Sequence, residues 1–318
     1  MFTVRNRPGR SEAGKTGGGE MTDPKMMSQM EDKPGFIAAL DQSGGSTPGA
    51  LKLYGIAETD YDGDEAMFRL MHEMRVRIMT APAFSGDRVI GAILFEKTMD
   101  GEAGGKSVPT YLWEDRGVVP FLKVDKGLAP EENGAQVLKP MPDLDALLKR
   151  ATTKGIFGTK MRSVIAKDDK AGVGAVVRQQ FEIGRQILDH GLVPIIEPEV
   201  SIGSPSKQEA EARLRDELAR ELDALPAGTR VFLKLTLPTQ ADFYKPLVEH
   251  KAVARVVALS GGYSRADACE KLSRNHGMIA SFSRALTEDL RATMDDAAFN
   301  ASLGKTIEEI YAASVNKV

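Results

Sequence analysis

At 318 residues, 42% hydrophobic and 27% charged, the chain is long enough to bury a large core, as one large domain or two of average size. Forty-two Lys and Arg against 45 Asp and Glu leave a net charge of −3, which excludes a global attraction for nucleic acid or an anionic membrane; any anionic ligand must be held by local cations. The single cysteine, Cys269, excludes an internal disulfide and a thiolate metal site, and no stretch reaches the roughly 18 consecutive apolar residues of a membrane helix, so a cytoplasmic setting is expected.

Residues 1–20 are glycine-rich and carry Arg5, Arg7, Arg10 and Lys15 without the apolar core of a secretory signal. They read as a disordered leader, with Met21 as an alternative start, ahead of one folded region over 21–318. From residue 36 onward, eight short apolar runs alternate with helix-like segments: 36–41, 89–96, 119–125, 155–162, 192–200, 230–237, 253–260 and 277–284. Between them lies helical spacing such as Val176, Val177, Phe181, Ile187 and Leu188. Eight strands suit a closed α/β TIM barrel, (β/α)8, in a single domain; an open doubly wound sheet is the competing architecture, but it requires no particular count. In the sixth run, Val231, Leu233, Leu235 and Leu237 share one face of the strand, and Phe232, Lys234 and Thr236 share the other. A lysine on a buried strand must be paired or put to use.

Polar residues gather at the carboxyl ends of the predicted strands, where barrel enzymes carry their chemistry. The first run ends in Asp41 and the second in Glu96. The third places Lys123 and Asp125 on one face, the fourth Lys160 and Arg162, the fifth Glu197 and Glu199, and the sixth supplies Lys234. Ser260 and Arg284 close the last two. Any one of these is ordinarily a solvated strand end, a structural ion pair or a snorkelling lysine. Convergence of all of them on one end marks a site. At the strand starts only Arg230 and Arg255 stand out.

Two glycine turns read as anion sites. Leu259-Ser260-Gly261-Gly262-Tyr263-Ser264 leaves the seventh strand and opens a helix, with Ser264 and Asp267 spaced as a cap and Arg284 nearby as a planar fork. Asp41-Gln42-Ser43-Gly44-Gly45-Ser46 follows the first strand on the side of Lys123 and Arg162. The segment 207–224 spaces Leu214, Leu218 and Leu222 as an amphipathic outer helix. His72, His190, His250 and His276 show no ligand spacing, so no metal is expected, and Trp113 and the 14 methionines read as packing.

A lysine in a barrel mouth beside other cations and two carboxylates points to amine attack on a carbonyl. The amine attacks when neutral: burial, Lys160 and Arg162 favour that form, while Glu197 and Glu199 oppose it and can move protons. A protonated imine then acts as an electron sink for making or breaking a C–C bond, with Asp41 as candidate base on the departing hydroxyl.

These residues resemble class I fructose-bisphosphate aldolase, in particular its bacterial branch, from about Gly35 to Arg284. The likeness rests on Leu40 to Ser46, Lys123-Val124-Asp125-Lys126-Gly127, Lys160-Met161-Arg162, Pro194 to Glu199, Leu233-Lys234, Leu259 to Gly262 and Ser283-Arg284. It implies a lyase of glycolysis and gluconeogenesis that reversibly cleaves fructose 1,6-bisphosphate to dihydroxyacetone phosphate and glyceraldehyde 3-phosphate without metal or organic cofactor. By that resemblance Lys234 forms the Schiff base, Glu197 is the acid and base of the carbinolamine steps, and Asp41 takes the C4 hydroxyl proton, with Lys160 and Glu199 organising charge. Ser260, Gly261 and Arg284 would hold the C1 phosphate; Ser43, Ser46, Lys123 and Arg162 lie toward the other. Two features depart from animal members: the chain ends Asn316-Lys317-Val318 rather than in a tyrosine linked to proton exchange on the enamine, and Ser283 stands where glycine is expected. The competing functions are another Schiff-base sugar-phosphate aldolase or a transaldolase, and a catalytically silent phosphosugar-binding scaffold. The expected partners are small sugar phosphates, not nucleic acid or membrane, with a homo-oligomer left open.

Overall fold

The computed structural model describes residues 23–318, so the expected leader lies outside the described residues. Eight parallel strands form the barrel: β1 Phe36–Leu40, β2 Val89–Leu94, β3 Val119–Lys123, β4 Gly158–Ile165, β5 Val193–Val200, β6 Val231–Thr236, β7 Val253–Leu259 and β8 Met278–Ala280. Each pairs in parallel with the next in chain order. The seam between β8 and β1 is held by the Ala39 N–H, which donates to Phe282 O at 3.1 Å, in place of a continuous ladder. The result is a nearly closed (β/α)8 barrel, not an open doubly wound sheet.

Several strand boundaries differ from the expectation, and two of the differences have a local cause. β4 begins three residues later than the run at 155, because Gly155 adopts φ +78° to end the preceding helix. The eighth run stops at Ala280: residues 280–283 alternate apolar and polar like a strand, but the chain turns there, and Arg284 opens a short helix, Arg284–Thr287, instead of ending β8.

The alternation in β6 separates two cores as expected. Val231, Leu233, Leu235 and Leu237 pack outward against the helices. Phe232 points inward with Phe121 and Phe157, and the three rings meet edge to face at centroid distances of 5.3, 5.7 and 6.4 Å. Gly158 makes room for them: a Cβ there would fall 2.9 Å from the Phe121 ring and 2.3 Å from Val193 O. These aromatics fill the amino-terminal half of the barrel, leaving the polar residues of the same interior faces for the carboxyl end.

Helix α1, Pro24–Asp32, plugs the amino-terminal end. Asp23 caps it by accepting from the Lys25 and Met26 N–H groups, and Met26 and Met30, one turn apart, are buried in the inner core. The two strand-start arginines anchor this plug: Arg230 pairs with Glu31 at 2.6 Å, and Arg255 donates to the Glu31 and Lys33 carbonyls. Around the barrel run α2 Gly63–Thr80, α3 Leu144–Thr153, α4 Lys170–Asp189, α5 Lys207–Asp223, α6 Arg265–Ser273 and α7 Asp296–Val315. On α4, Val176, Val177, Phe181 and Ile187 are buried, and on α5 Leu214, Leu218 and Leu222 are. After α7, Lys317 Nζ donates to the carbonyls of Leu272, Ala313 and Met278, which ties these last residues to the start of β8, the end opposite the polar mouth. No helix among the described residues is long and apolar enough to cross a membrane.

Candidate active site

Strand alternation aims Lys160 of β4, Glu197 of β5 and Lys234 of β6 into the barrel, and Asp41 follows β1 directly. Their side chains form one chain of contacts. Asp41 Oδ2 lies 2.7 Å from Lys160 Nζ, Lys160 Nζ lies 2.9 Å from Glu197 Oε2, and Glu197 Oε1 lies 3.1 Å from Lys234 Nζ. All four residues are buried, with exposures of 7, 4, 3 and 4%. Charges so far from water are costly singly and tolerable only in alternation. Glu197 therefore stands between the two amines, where the sequence had suggested Lys160 pressing directly on Lys234.

The electrostatics fix two members. Burial alone would raise the Asp41 pKa, but Lys160, Lys234 and Lys123 outweigh it and hold the carboxyl well below the usual range. Burial would likewise lower Lys160, but Asp41, Glu197 and Asp125 outweigh it and keep the amine an ammonium far into alkaline pH. This pair stays ionised across the neutral range.

Each site residue singled out in the sequence lines a single cavity of about 1100 Å³ at the carboxyl end of the barrel. On one side the turn after β7 places Ser260 at the strand end, and Gly261 and Gly262 adopt φ +61° and +115°. A Cβ on Gly262 would sit 3.5 Å from Arg284 Nη2, so the guanidinium lies over the glycine turn; Ser264 caps α6 through the Asp267 N–H. Arg284 makes no ion pair among the described residues and is exposed. On the other side Ser43 and Ser46 close a turn on each other, the Ser46 hydroxyl donating to Ser43 O at 3.0 Å. The cations there are held by carboxylates: Lys123 by Asp125 at 2.7 Å and Arg162 by Glu199 at 3.3 Å. Asp125 also accepts from the Arg162 and Gly127 N–H groups, which makes it a brace of this wall.

One polar strand end is structural. Glu96 opens a short helix, Glu96–Met99, and sits on the rim paired with Lys126 and Arg150. The histidines are scattered as expected: His190, His250 and His276 each face an aspartate, and His72 faces the Glu102 carbonyl.

Two of the residues that sequence reasoning missed hold the strand ends around the cavity. Gln180, fully buried on α4, clamps the Glu197 backbone: its Oε1 accepts from the Glu197 N–H at 2.8 Å, and its Nε2 donates to Glu197 O at 3.0 Å and Ser163 Oγ at 2.9 Å. The signal was present, since Gln180 is a polar residue on the stripe of Val176, Val177 and Phe181. Gln42 donates from Nε2 to Ser283 Oγ at 2.7 Å and so joins the β1 and β8 turns across the open seam. Ser283, a departure from the expected glycine, is half of that clasp.

A family model for fructose-bisphosphate aldolase class-I matches residues 32–234. The chain is 58% identical, over 291 residues, to the class 1 fructose-bisphosphate aldolase of the cyanobacterium Synechocystis sp., an alignment covering 92% of this chain and 97% of that protein. The chain belongs to the class I fructose-bisphosphate aldolases. The aldolase fold is also similar to that of a fructose-bisphosphate aldolase from Plasmodium falciparum, solved in complex with TRAP and a small molecule inhibitor: the TM-score is 0.71 at 18% identity, covering 94% of this chain and 97% of that one. Class I aldolases are metal-independent lyases that work through a Schiff base.

Glu199 gives the aldolase a pH signature. Burial pushes its carboxyl up; Arg162 opposes this and the Glu197 charge adds to it. The folded protein thus keeps a proton that the unfolded chain has lost, so stability falls as pH rises from the ordinary value of 4.5 through the raised one. Glu199→Gln is expected to flatten that fall, measured as a smaller difference in urea midpoint between about pH 4 and about pH 8.

Proposed function

We propose that this aldolase cleaves fructose 1,6-bisphosphate reversibly, with Lys234 as nucleophile, Glu197 as acid and base, and Asp41 as the base at C4. The observation that carries this reading is the buried Asp41–Lys160–Glu197–Lys234 chain between two anion-binding turns. The neutral Lys234 amine adds to the C2 carbonyl. Glu197, in contact with that amine, passes a proton to the carbinolamine oxygen, which leaves as water and gives the protonated imine. The C3–C4 bond then breaks: its electron pair moves toward the imine to form an enamine, the C4 oxygen becomes the aldehyde carbonyl, and its proton passes to Asp41. Lys160 makes Asp41 a weak base, which suffices because the C4 hydroxyl becomes a strong acid as the bond breaks. Glyceraldehyde 3-phosphate departs. The enamine is protonated at C3, and hydrolysis releases dihydroxyacetone phosphate. The group assigned to deliver that C3 proton is Glu199, which lines the mouth and whose carboxyl is raised by burial.

Ser260, Gly261 and Arg284 bind one phosphate; Ser43, Ser46, Lys123 and Arg162 bind the other. The enzyme acts on soluble sugar phosphates in the cytoplasm as one barrel over 21–318, and its outer helices are available for homo-oligomer contacts. Turnover of fructose 1,6-bisphosphate is compared with that of fructose 1-phosphate. A charge-assisted phosphate contact is worth about 1.5 to 3 kcal/mol, so kcat/KM is expected to favour the bisphosphate by about 10- to 100-fold, with Arg162→Ala erasing the preference. Equal use of both sugars points to a monophosphate aldolase or transaldolase; tight binding without turnover points to a phosphosugar-binding scaffold.

A further inference from the structure

Arg75, on α2, is 1% exposed, the largest fully buried side chain among the described residues, yet it forms no ion pair with a carboxylate there. Burial lowers its pKa to about 10 against the opposing charge of Asp41, so it remains a cation at neutral pH. An unpaired buried cation is costly enough that its retention calls for a use. The guanidinium spans two strand ends beneath the mouth. Nη1 donates to Thr98 Oγ1 at 2.8 Å, in the short helix after β2, and Nη2 donates to the carbonyl of Gln42, next to Asp41; Nε meets no acceptor. Arg75 does not line the cavity, so it reaches the substrate only through the turn it holds.

We propose that Arg75 is a positioning residue for C–C bond cleavage: by gripping the Gln42 carbonyl from below, it fixes the Asp41 carboxylate against Lys160. The inference rests on Asp41 as the cleavage base, and it separates two halves of the reaction. Schiff-base formation draws on Lys234 and Glu197, which stand on β5 and β6 away from Arg75. Cleavage draws on Asp41, which Arg75 steadies.

The test measures cleavage of fructose 1,6-bisphosphate and borohydride trapping of dihydroxyacetone phosphate in Arg75→Met, Arg75→Lys, Asp41→Asn and the Asp41→Asn/Arg75→Met double variant. The expected result is a kcat lower by about 10- to 100-fold in Arg75→Met with KM little changed, partial recovery in Arg75→Lys, and trapping at Lys234 equal to wild type. In the Asp41→Asn background, Arg75→Met is expected to cost less than about twofold more, because both changes disable one element. Wild-type cleavage in Arg75→Met, trapping that falls in step with cleavage, or losses that multiply in the double variant would each overturn it. Should Arg75→Met not fold, Thr98→Val, which removes one partner and leaves the cation, is expected to lower kcat by several-fold; unchanged cleavage there overturns the proposal. A wild-type protein that traps no adduct overturns the site assignment itself, and this inference with it, which distinguishes that failure from the others.

Discussion

Replacing Lys234 by alanine is expected to lower turnover of fructose 1,6-bisphosphate by at least about 10⁴-fold while leaving the barrel folded. Among the described residues the amine is the only group in contact with the Glu197 carboxylate that can add to a carbonyl, because Lys160, the other contact, is held as an ammonium by Asp41 and Glu197. The fold survives because Glu197 keeps Lys160 at 2.9 Å, so no buried carboxylate is stranded. The remaining loss is side-chain packing at one strand position, about 1 to 3 kcal/mol by urea denaturation. Circular dichroism matching wild type with turnover gone is the expected pair of results. Substantial turnover in Lys234→Ala contradicts the nucleophile assignment.

Asp41→Asn is expected to divide the reaction where Lys234→Ala abolishes it. Asparagine matches the shape of aspartate but takes up no proton, so cleavage should fall by about 10²- to 10⁴-fold, the usual worth of a positioned base. Imine formation with dihydroxyacetone phosphate, which has no C4 hydroxyl to deprotonate, should persist. Because its folded pKa is depressed, Asp41 contributes stability that is present above the unfolded value of 3.8 and lost only as pH falls through the lower folded one. Any acid limb of the cleavage profile above pH 3.8 therefore belongs to another group, and Asp41→Asn should leave its position where it is in wild type. Cleavage near the wild-type rate, or loss of trapping alongside cleavage, contradicts the assignment.

What could be read before the structure was whatever period and position encode. Alternation in 230–237 put Lys234 on the inner face, and eight apolar runs with polar carboxyl ends gave the barrel and its mouth. Spacing does not say when a strand stops for a functional turn: Ala280 to Ser283 alternate like β structure, but the chain bends there so that Arg284 can lie over Gly262. The plug α1 escaped because its apolar side is three methionines, Met26, Met27 and Met30, a signal too short to separate from a loop. Glu96 lines the mouth as its strand-end position implies, but its charge is taken up by Lys126 and Arg150, a pairing that position alone does not reveal. Arg75 and Gln180 act through backbone carbonyls and amides, and Gln42 through the Ser283 hydroxyl, all of residues distant in the chain, and no local pattern announces such contacts. Gln180 alone interrupted an apolar stripe and was open to detection.

The most direct test of the account is reduction with borohydride in the presence of dihydroxyacetone phosphate and a metal chelator, followed by mass spectrometry of the peptides. The account predicts one reduced three-carbon phosphate adduct, on Lys234, in equal yield with and without the chelator. An adduct on another lysine, or no adduct together with activity lost to the chelator, would contradict it.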